Sequence, residues 1–405
     1  MPSLHLPDVI CTCARGCLAA QRYIATELLR VQDLPHNPSP REKAISILEL
    51  DPARKQCLLS RLHATVGVEV KSVLNFKEGG AAKDLVTTAD VLTQALLVRL
   101  LLREFPDAPF TIIGEEAAPN ATLDAIARRC VEAEGWKAEK IPGEAALRAH
   151  LPRWKGAARL HAASVEELRE RVGVFIDPID ATNCFAEGVW EAPMTLVGVA
   201  VDGVPVGGVV NRLFAFPVSA EGPSGGGFSY ILNPAQNDTA FIVHEGRLVG
   251  SPREMGEEKR GDAPLRVCES PTTKSAFLRE VNERLRPCAI CYARGSGNKE
   301  FFLLHQALGG ARAGADVFVA PSRTIMAWDC CAPHAFLRAL GGEIYTLKGT
   351  PLRYRHRSGD EALSAALAEL PDGVVAVTAA AKEEVARRMG WAARDVKEGI
   401  GKSHL

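Results

Sequence analysis

The sequence predicts a mixed protein, with an α+β first domain over 1–262 and an α/β second domain over 263–405. Three observations predict it. Beyond residue 264, strand-like apolar runs alternate with helix-spaced segments, the pattern of an α/β layer. Earlier in the chain, pairs of apolar runs meet at Asp202-Gly203 and at Glu245-Gly246, turn dipeptides that mark antiparallel hairpins. Between the halves, 251–264 is charged, contains Gly and Pro and is poor in apolar residues, so it reads as a linker.

Residues 8–31 and parts of 41–63 place apolar side chains at helical spacing. A longer amphipathic helix is expected over 85–105, with Ala89, Leu92, Leu96, Leu100 and Leu101 as its core stripe. A short buried strand covers 110–113. The stretch 117–172 is polar, helix-prone and rich in Ala, Glu and Arg, and reads as an insertion. The β-branched run 172–176 is a strand, as are 195–200, 204–210, 241–244 and 247–250, with a glycine-rich loop at 222–227. In the second half, strands are expected at 265–269, 289–293, 315–319, 343–346 and 374–377. Helices are expected at 274–285, 299–307 and 329–340.

Composition excludes several classes of function. Lys plus Arg is 48 and Asp plus Glu is 49, a net charge of −1. Such a chain has no global field with which to grip nucleic acid or an anionic membrane. An anionic substrate must then be held by local chemistry. No apolar run is long enough to span a bilayer, and the N-terminus lacks the pattern of a secretory signal. The 11 cysteines are scattered, with one CxxC at Cys288 and Cys291, which fits reduced thiols better than a zinc site built from paired spacings.

The sharpest chemical signal is Asp177-Pro178-Ile179-Asp180-Ala181-Thr182. An apolar strand ends on two carboxylates three positions apart, with Pro178 fixing the backbone between them. Asp180 or Thr182 would sit near the cap of the following helix. Paired acids at a strand end are costly unless a cation joins them, and hard divalent ions are the usual partner. Three weaker signals accompany it: Gly114-Glu115-Glu116 after a strand, Asp84 within Lys83-Asp84-Leu85-Val86-Thr87-Thr88-Ala89-Asp90, and Asp329 in Trp328-Asp329. Each alone could be a loop or a helix cap. Together they place acids beside four element ends, as a metal cage assembled from distant segments requires.

KDLVTTADVLTQ, TIIGEE, FIDPIDATNCFAEG, GSGNK and WDCCAPHAFLRALGG occur in that order, from about Asp84 to Gly342 with gaps at 117–172 and 215–264. In these motifs the chain resembles the lithium-sensitive, magnesium-dependent phosphatases of the inositol monophosphatase superfamily. Within it, the chain most resembles the 3'(2'),5'-bisphosphate nucleotidases, and next the inositol polyphosphate 1-phosphatases. The resemblance implies a layered αβαβα sandwich with two or three Mg2+ ions between the domains. It implies metal ligation by Glu115, Asp177, Asp180, Asp329 and the Ile179 carbonyl. Asp84 and Thr182 would activate water, Glu116 would stand behind the ligands, and Ala181, Thr182, Gly295, Lys299 and Asp329 would meet the substrate.

Arg294-Gly295-Ser296-Gly297-Asn298-Lys299 is a glycine loop entering a helix, where Lys299 can meet a second phosphate or Ser296 and Asn298 can simply cap. Ser270 and Lys274 fall where the nucleotidases carry a substrate loop, but Pro271 and Thr272 replace its histidine and second serine, which favours the inositol alternative. His334 and Cys184 read as structural. The ending Ser403-His404-Leu405 resembles a peroxisomal address, so an import receptor is the expected partner and a peroxisome or glycosome-like organelle the expected location, with the cytoplasm as alternative.

Overall fold

The structure is a computed structural model. It describes residues 4–30, 52–65, 67–76, 80–141, 143–150, 160, 163–189, 192–214, 218–219, 222–223, 228–232, 241–244, 247–249, 263–271, 275–307, 314–322, 324–356 and 368–391. The linker 251–262, Lys274 and the Ser403-His404-Leu405 ending lie outside the described residues.

Helix α1 (Leu6–Tyr23) runs into a π-helical turn at Ile24–Leu28, and α2 spans Pro52–Thr65. An antiparallel hairpin follows, β1 (Val68–Phe76) and β2 (Gly80–Thr87), which the helical reading of 85–105 did not anticipate. Helix α3 begins only at Thr88 and runs to Glu104. The cause is local. Thr87 is extended and caps α3, and the Thr87 N–H donates to Asp90 Oδ2 at 2.8 Å in a reciprocal capping box.

Strand β3 (Thr111–Gly114) leads into the 117–172 region, which is helical as read: α4 (Ala121–Glu132), a 3-10 turn at Gly135–Ala138, α5 (Glu144–His150) and α6 (Val165–Arg171). It rides on the outer helices, with Ala127, Val131 and Trp136 buried against Leu92, Leu96 and Leu100 of α3. Next come β4 (Val172–Asp180), α7 (Thr182–Glu187), β5 (Met194–Val201) and β6 (Val204–Arg212). They are followed by the two-residue pair β7 (Val218–Ser219) and β8 (Gly222–Pro223), then β9 (Phe228–Leu232), β10 (Phe241–His244) and β11 (Arg247–Val249). The first large sheet has the order β11-β10-β9-β6-β5-β4-β3, antiparallel except for β3 beside β4.

The second half comprises β12 (Leu265–Glu269), α8 (Ala276–Leu285), β13 (Cys288–Tyr292), α9 (Ser296–Ala307), β14 (Val317–Ala320), α10 (Ala327–Ala339), β15 (Glu343–Thr346), β16 (Val374–Val377) and α11 (Lys382–Met389). Its sheet runs β13-β12-β14-β16-β15, parallel across β13-β12-β14 and antiparallel beyond.

Strand alternation assigns the layers. Val174, Val197, Val199 and Val209 turn toward α1 and α3, while Phe175, Leu196 and Val210 turn toward α9 and α10. On the second sheet, Cys268, Phe318 and Ala376 face that same middle helical layer, and Val267, Val317 and Val377 face α8 and α11. The result is the αβαβα stack. The middle layer is close-packed because β5 lacks a side chain at Gly198. A Cβ there would stand 2.4 Å from Cys331 Cβ and 2.6 Å from the Ala332 nitrogen of α10.

Candidate active site

Strand β4 carries the site at its carboxyl end. Its register with β5 slips between Asp177 and Asp180, so the DPID segment leaves the regular ladder. Pro178 has no N–H to lose, and its carbonyl accepts from Thr195 Oγ1 at 2.9 Å. Ala181 then takes a left-handed backbone, φ 65°, and α7 starts at Thr182.

The cap at α7 is therefore Ala181, with Asp180 and Thr182 on either side of it. Asp180 reaches across to the second half, accepting from Ser296 N at 3.1 Å and Gly297 N at 2.9 Å at the start of α9. Asp329 does not open α10 but lies two residues inside it, accepting from Met326 N at 2.6 Å. Carboxylate oxygens of Asp177, Asp180 and Asp329 lie within 4.8 Å of one another. Glu115 joins them from the end of β3. Its N–H donates to Ile176 O at 3.1 Å, and its charge bears on the Asp177 carboxyl.

Like charges this close, taken out of water, resist ionisation. Burial first, then Glu115, Asp180 and Asp329, push the Asp177 carboxyl well up. Burial, then Asp180, does the same to Asp329. Asp180 is raised only to about 6, because Lys299 and the two α9 N–H groups oppose its burial. Asp177 Oδ1 is buried without a hydrogen-bond partner among the described residues. A cluster of oxygen donors with one orphaned oxygen fits a hard divalent cation such as Mg2+. Glu115, Asp177, Asp180 and Asp329 are the residues that would hold it.

The remaining expected residues divide. Thr182 Oγ1 lies 2.9 Å from both Ile179 O and Asp90 Oδ1. Among the described residues, the acid hydrogen-bonded to Thr182 is Asp90. Asp84 sits on β2 opposite Ser72, and its side chain lies outside the described residues. Burial pushes the Asp90 carboxyl up to about 7. Glu116 stands behind the cluster, ion-paired with Lys71, which also holds Glu115 Oε1 at 2.9 Å. Burial and Glu115 push the Glu116 carboxyl up to about 8 against the pull of Lys71.

Gly295, φ 81°, packs so closely that a Cβ would stand 2.9 Å from Ala181 Cβ and 3.0 Å from Asp180 Oδ2. Lys299 is 8% exposed, with its ammonium 5.1 Å from the centre of the Phe318 ring. Its charge opposes the effect of burial on Asp180. Ser270 follows β12, half-buried. His334 is structural, buried between Tyr354 Oη at 3.0 Å and Glu343.

Three participants escaped the sequence reading: Asp90, Gln94 and Lys71. Gln94 of α3 clamps the Glu116 backbone, donating to its carbonyl at 2.5 Å and accepting from its N–H at 2.8 Å. Gly114 makes room for this, since a Cβ would meet the Gln94 amide at 2.5–2.8 Å. Asp90 had a signal, because Thr87-x-x-Asp90 is a capping-box spacing.

Human 3'(2'),5'-bisphosphate nucleotidase 1 is 27% identical over 281 residues, 69% of this chain and 77% of its own length. Inositol monophosphatase 3 of Xenopus tropicalis is 27% identical over 331 residues, 80% of this chain and 78% of its own. The crystal structure of extragenic suppressor protein suhB from Bartonella henselae covers 93% of this chain and 96% of its own, at 13% identity and a TM-score of 0.45. The family model described as the inositol monophosphatase family matches residues 51–381, so the chain belongs to that family.

Proposed function

We propose that this protein is a Mg2+-dependent phosphomonoesterase that removes the 3'-phosphate of adenosine 3',5'-bisphosphate, giving AMP and inorganic phosphate, with 3'-phosphoadenylyl sulfate as a second substrate. The observation that carries the reading is the acid cluster of Glu115, Asp177, Asp180 and Asp329 beside the Thr182–Asp90 pair. Bound Mg2+ supplies charge neutralisation for the phosphate and lowers the cost of deprotonating water. The chain's own residues do the rest. With its proton directed to Asp90, the Thr182 hydroxyl offers its lone pairs to orient a water. Asp90, held at about 7, is matched to take up a proton near neutral pH. Net reaction consumes one water per phosphate released.

The nucleotide substrate is favoured by the likeness to human 3'(2'),5'-bisphosphate nucleotidase 1. The second reading is 1-phosphate removal from inositol 1,4-bisphosphate or 1,3,4-trisphosphate, and Pro271 in place of the expected histidine favours it. Parallel kcat/KM measurements on adenosine 3',5'-bisphosphate and inositol 1,4-bisphosphate, with Mg2+ and with EDTA, decide between them. Absence of phosphate release from the nucleotide would reject the first reading. Inhibition by Li+ belongs to the same proposal. So does the Ser403-His404-Leu405 address, which a fluorescent fusion with and without those residues would test in cells.

A further inference from the structure

A bisphosphate needs a second cationic contact, and the cations tied to the cluster differ in what they can offer. Lys71 is committed to Glu115 and Glu116. Lys299 is buried and faces Asp180. Arg294 is the residue before Gly295, whose backbone lies against Asp180 and Ala181. Its side chain is 32% exposed and pairs through Nη1 with Glu187 Oε2 at 2.6 Å. Glu187 is the last residue of α7, the helix that begins at Thr182, and its side chain is 54% exposed. The pair thus joins the loop before α9 to the helix that follows the metal-site motif.

An exposed carboxylate–arginine pair contributes little to stability, so it is cheap to exchange. A phosphate dianion is the better partner for a guanidinium, which can meet two of its oxygens in parallel. Resting on the function proposed above, we infer that Arg294 determines specificity by binding the second phosphate of the substrate, which displaces Glu187 from its guanidinium. The phosphate to be cleaved lies at the acid cluster, and the second lies one sugar away. Glu187 keeps Arg294 oriented while the site is empty, and competes with the substrate for it.

The test compares adenosine 3',5'-bisphosphate with 3'-AMP, which lacks the second phosphate. In Arg294→Ala, the ratio of kcat/KM for bisphosphate over monophosphate should fall roughly 30-fold, the loss expected for charge-assisted hydrogen bonds. Arg294→Lys should recover part of it, and Glu187→Gln should leave the ratio unchanged or raise it. An Arg294→Ala variant that loses both substrates equally, or neither, would overturn the inference. Calorimetric binding of adenosine 3',5'-bisphosphate in Ca2+ separates this failure from that of the functional reading. Arg294→Ala should weaken binding by a similar factor whatever the turnover, and unweakened binding overturns the role of Arg294.

Discussion

Removing divalent metal should make the stability of this protein fall as pH rises from 5 to 8, and the structure gives the size of the effect. Asp180 and Asp90 are buried, with carboxyls raised from 3.8 to about 6 and about 7. Both folded values lie above the unfolded ones, so the folded state binds these protons more tightly. The stability they contribute is complete below about pH 4 and is lost as pH passes through about 6 and then about 7. At 1.36 kcal/mol per tenfold change, Asp180 accounts for about 3 kcal/mol and Asp90 for about 4 kcal/mol. Asp177 and Asp329 are displaced in the same direction. A shift of that order should lower the melting temperature by roughly 5–10 °C between pH 5 and pH 8 in EDTA. Saturating Mg2+ should flatten the profile, since an ion in the cluster pays the electrostatic cost that protons otherwise cover. Thermal melts across that range, with EDTA and with Mg2+, measure it directly. If the metal-free protein melts at the same temperature at pH 5 and pH 8, or if Mg2+ leaves the slope unchanged, the carboxylates are not the strained cluster described above.

Three further outcomes follow from named contacts. Asp90→Asn and Thr182→Val should each reduce kcat by about two orders of magnitude while the double variant falls little further, because the two side chains act as one unit; additive losses would separate them. Gln94→Leu removes both hydrogen bonds to the Glu116 backbone and should raise the Mg2+ concentration for half-maximal activity by roughly tenfold, as loss of a group supporting a ligand does. An unchanged Mg2+ requirement would show that the turn holds Glu115 without Gln94. Gly198→Ala places a methyl group on Cys331 and the Ala332 backbone and should destabilise the protein by about 2 kcal/mol or more, read as a lower denaturant midpoint.

The sequence exposed the fold where a pattern was both local and periodic. The alternation beyond residue 264 became β12 to β16 with intervening helices, and Asp202-Gly203 became the β5–β6 turn. It failed at β1 and β2, because Leu85 and Val86 continue the apolar spacing of α3 while belonging to the hairpin. Periodicity cannot distinguish a strand that runs directly into a helix from an earlier helix start. The capping pair Thr87–Asp90 fixes the boundary, and reading it would have placed the helix correctly.

The same helix start brings an acid to Thr182. Asp84 and Asp90 lie in one motif, six positions apart, and spacing alone does not say which side chain turns toward β4. The decision comes from the helix start. Once Thr87 caps α3, Asp90 stands in its first turn, where one carboxylate oxygen takes the cap and the other, Oδ1, meets Thr182. Asp90 thus joins the helix start to Thr182. Asp180 and Asp329 also accept N–H groups at a helix start, Asp180 through both oxygens and Asp329 through Oδ2, while their carboxylates stand in the cluster. Helix capping and metal ligation are compatible roles for these acids, because a carboxylate has two oxygens with about four lone-pair sites. Here the caps are what hold the ligands in place.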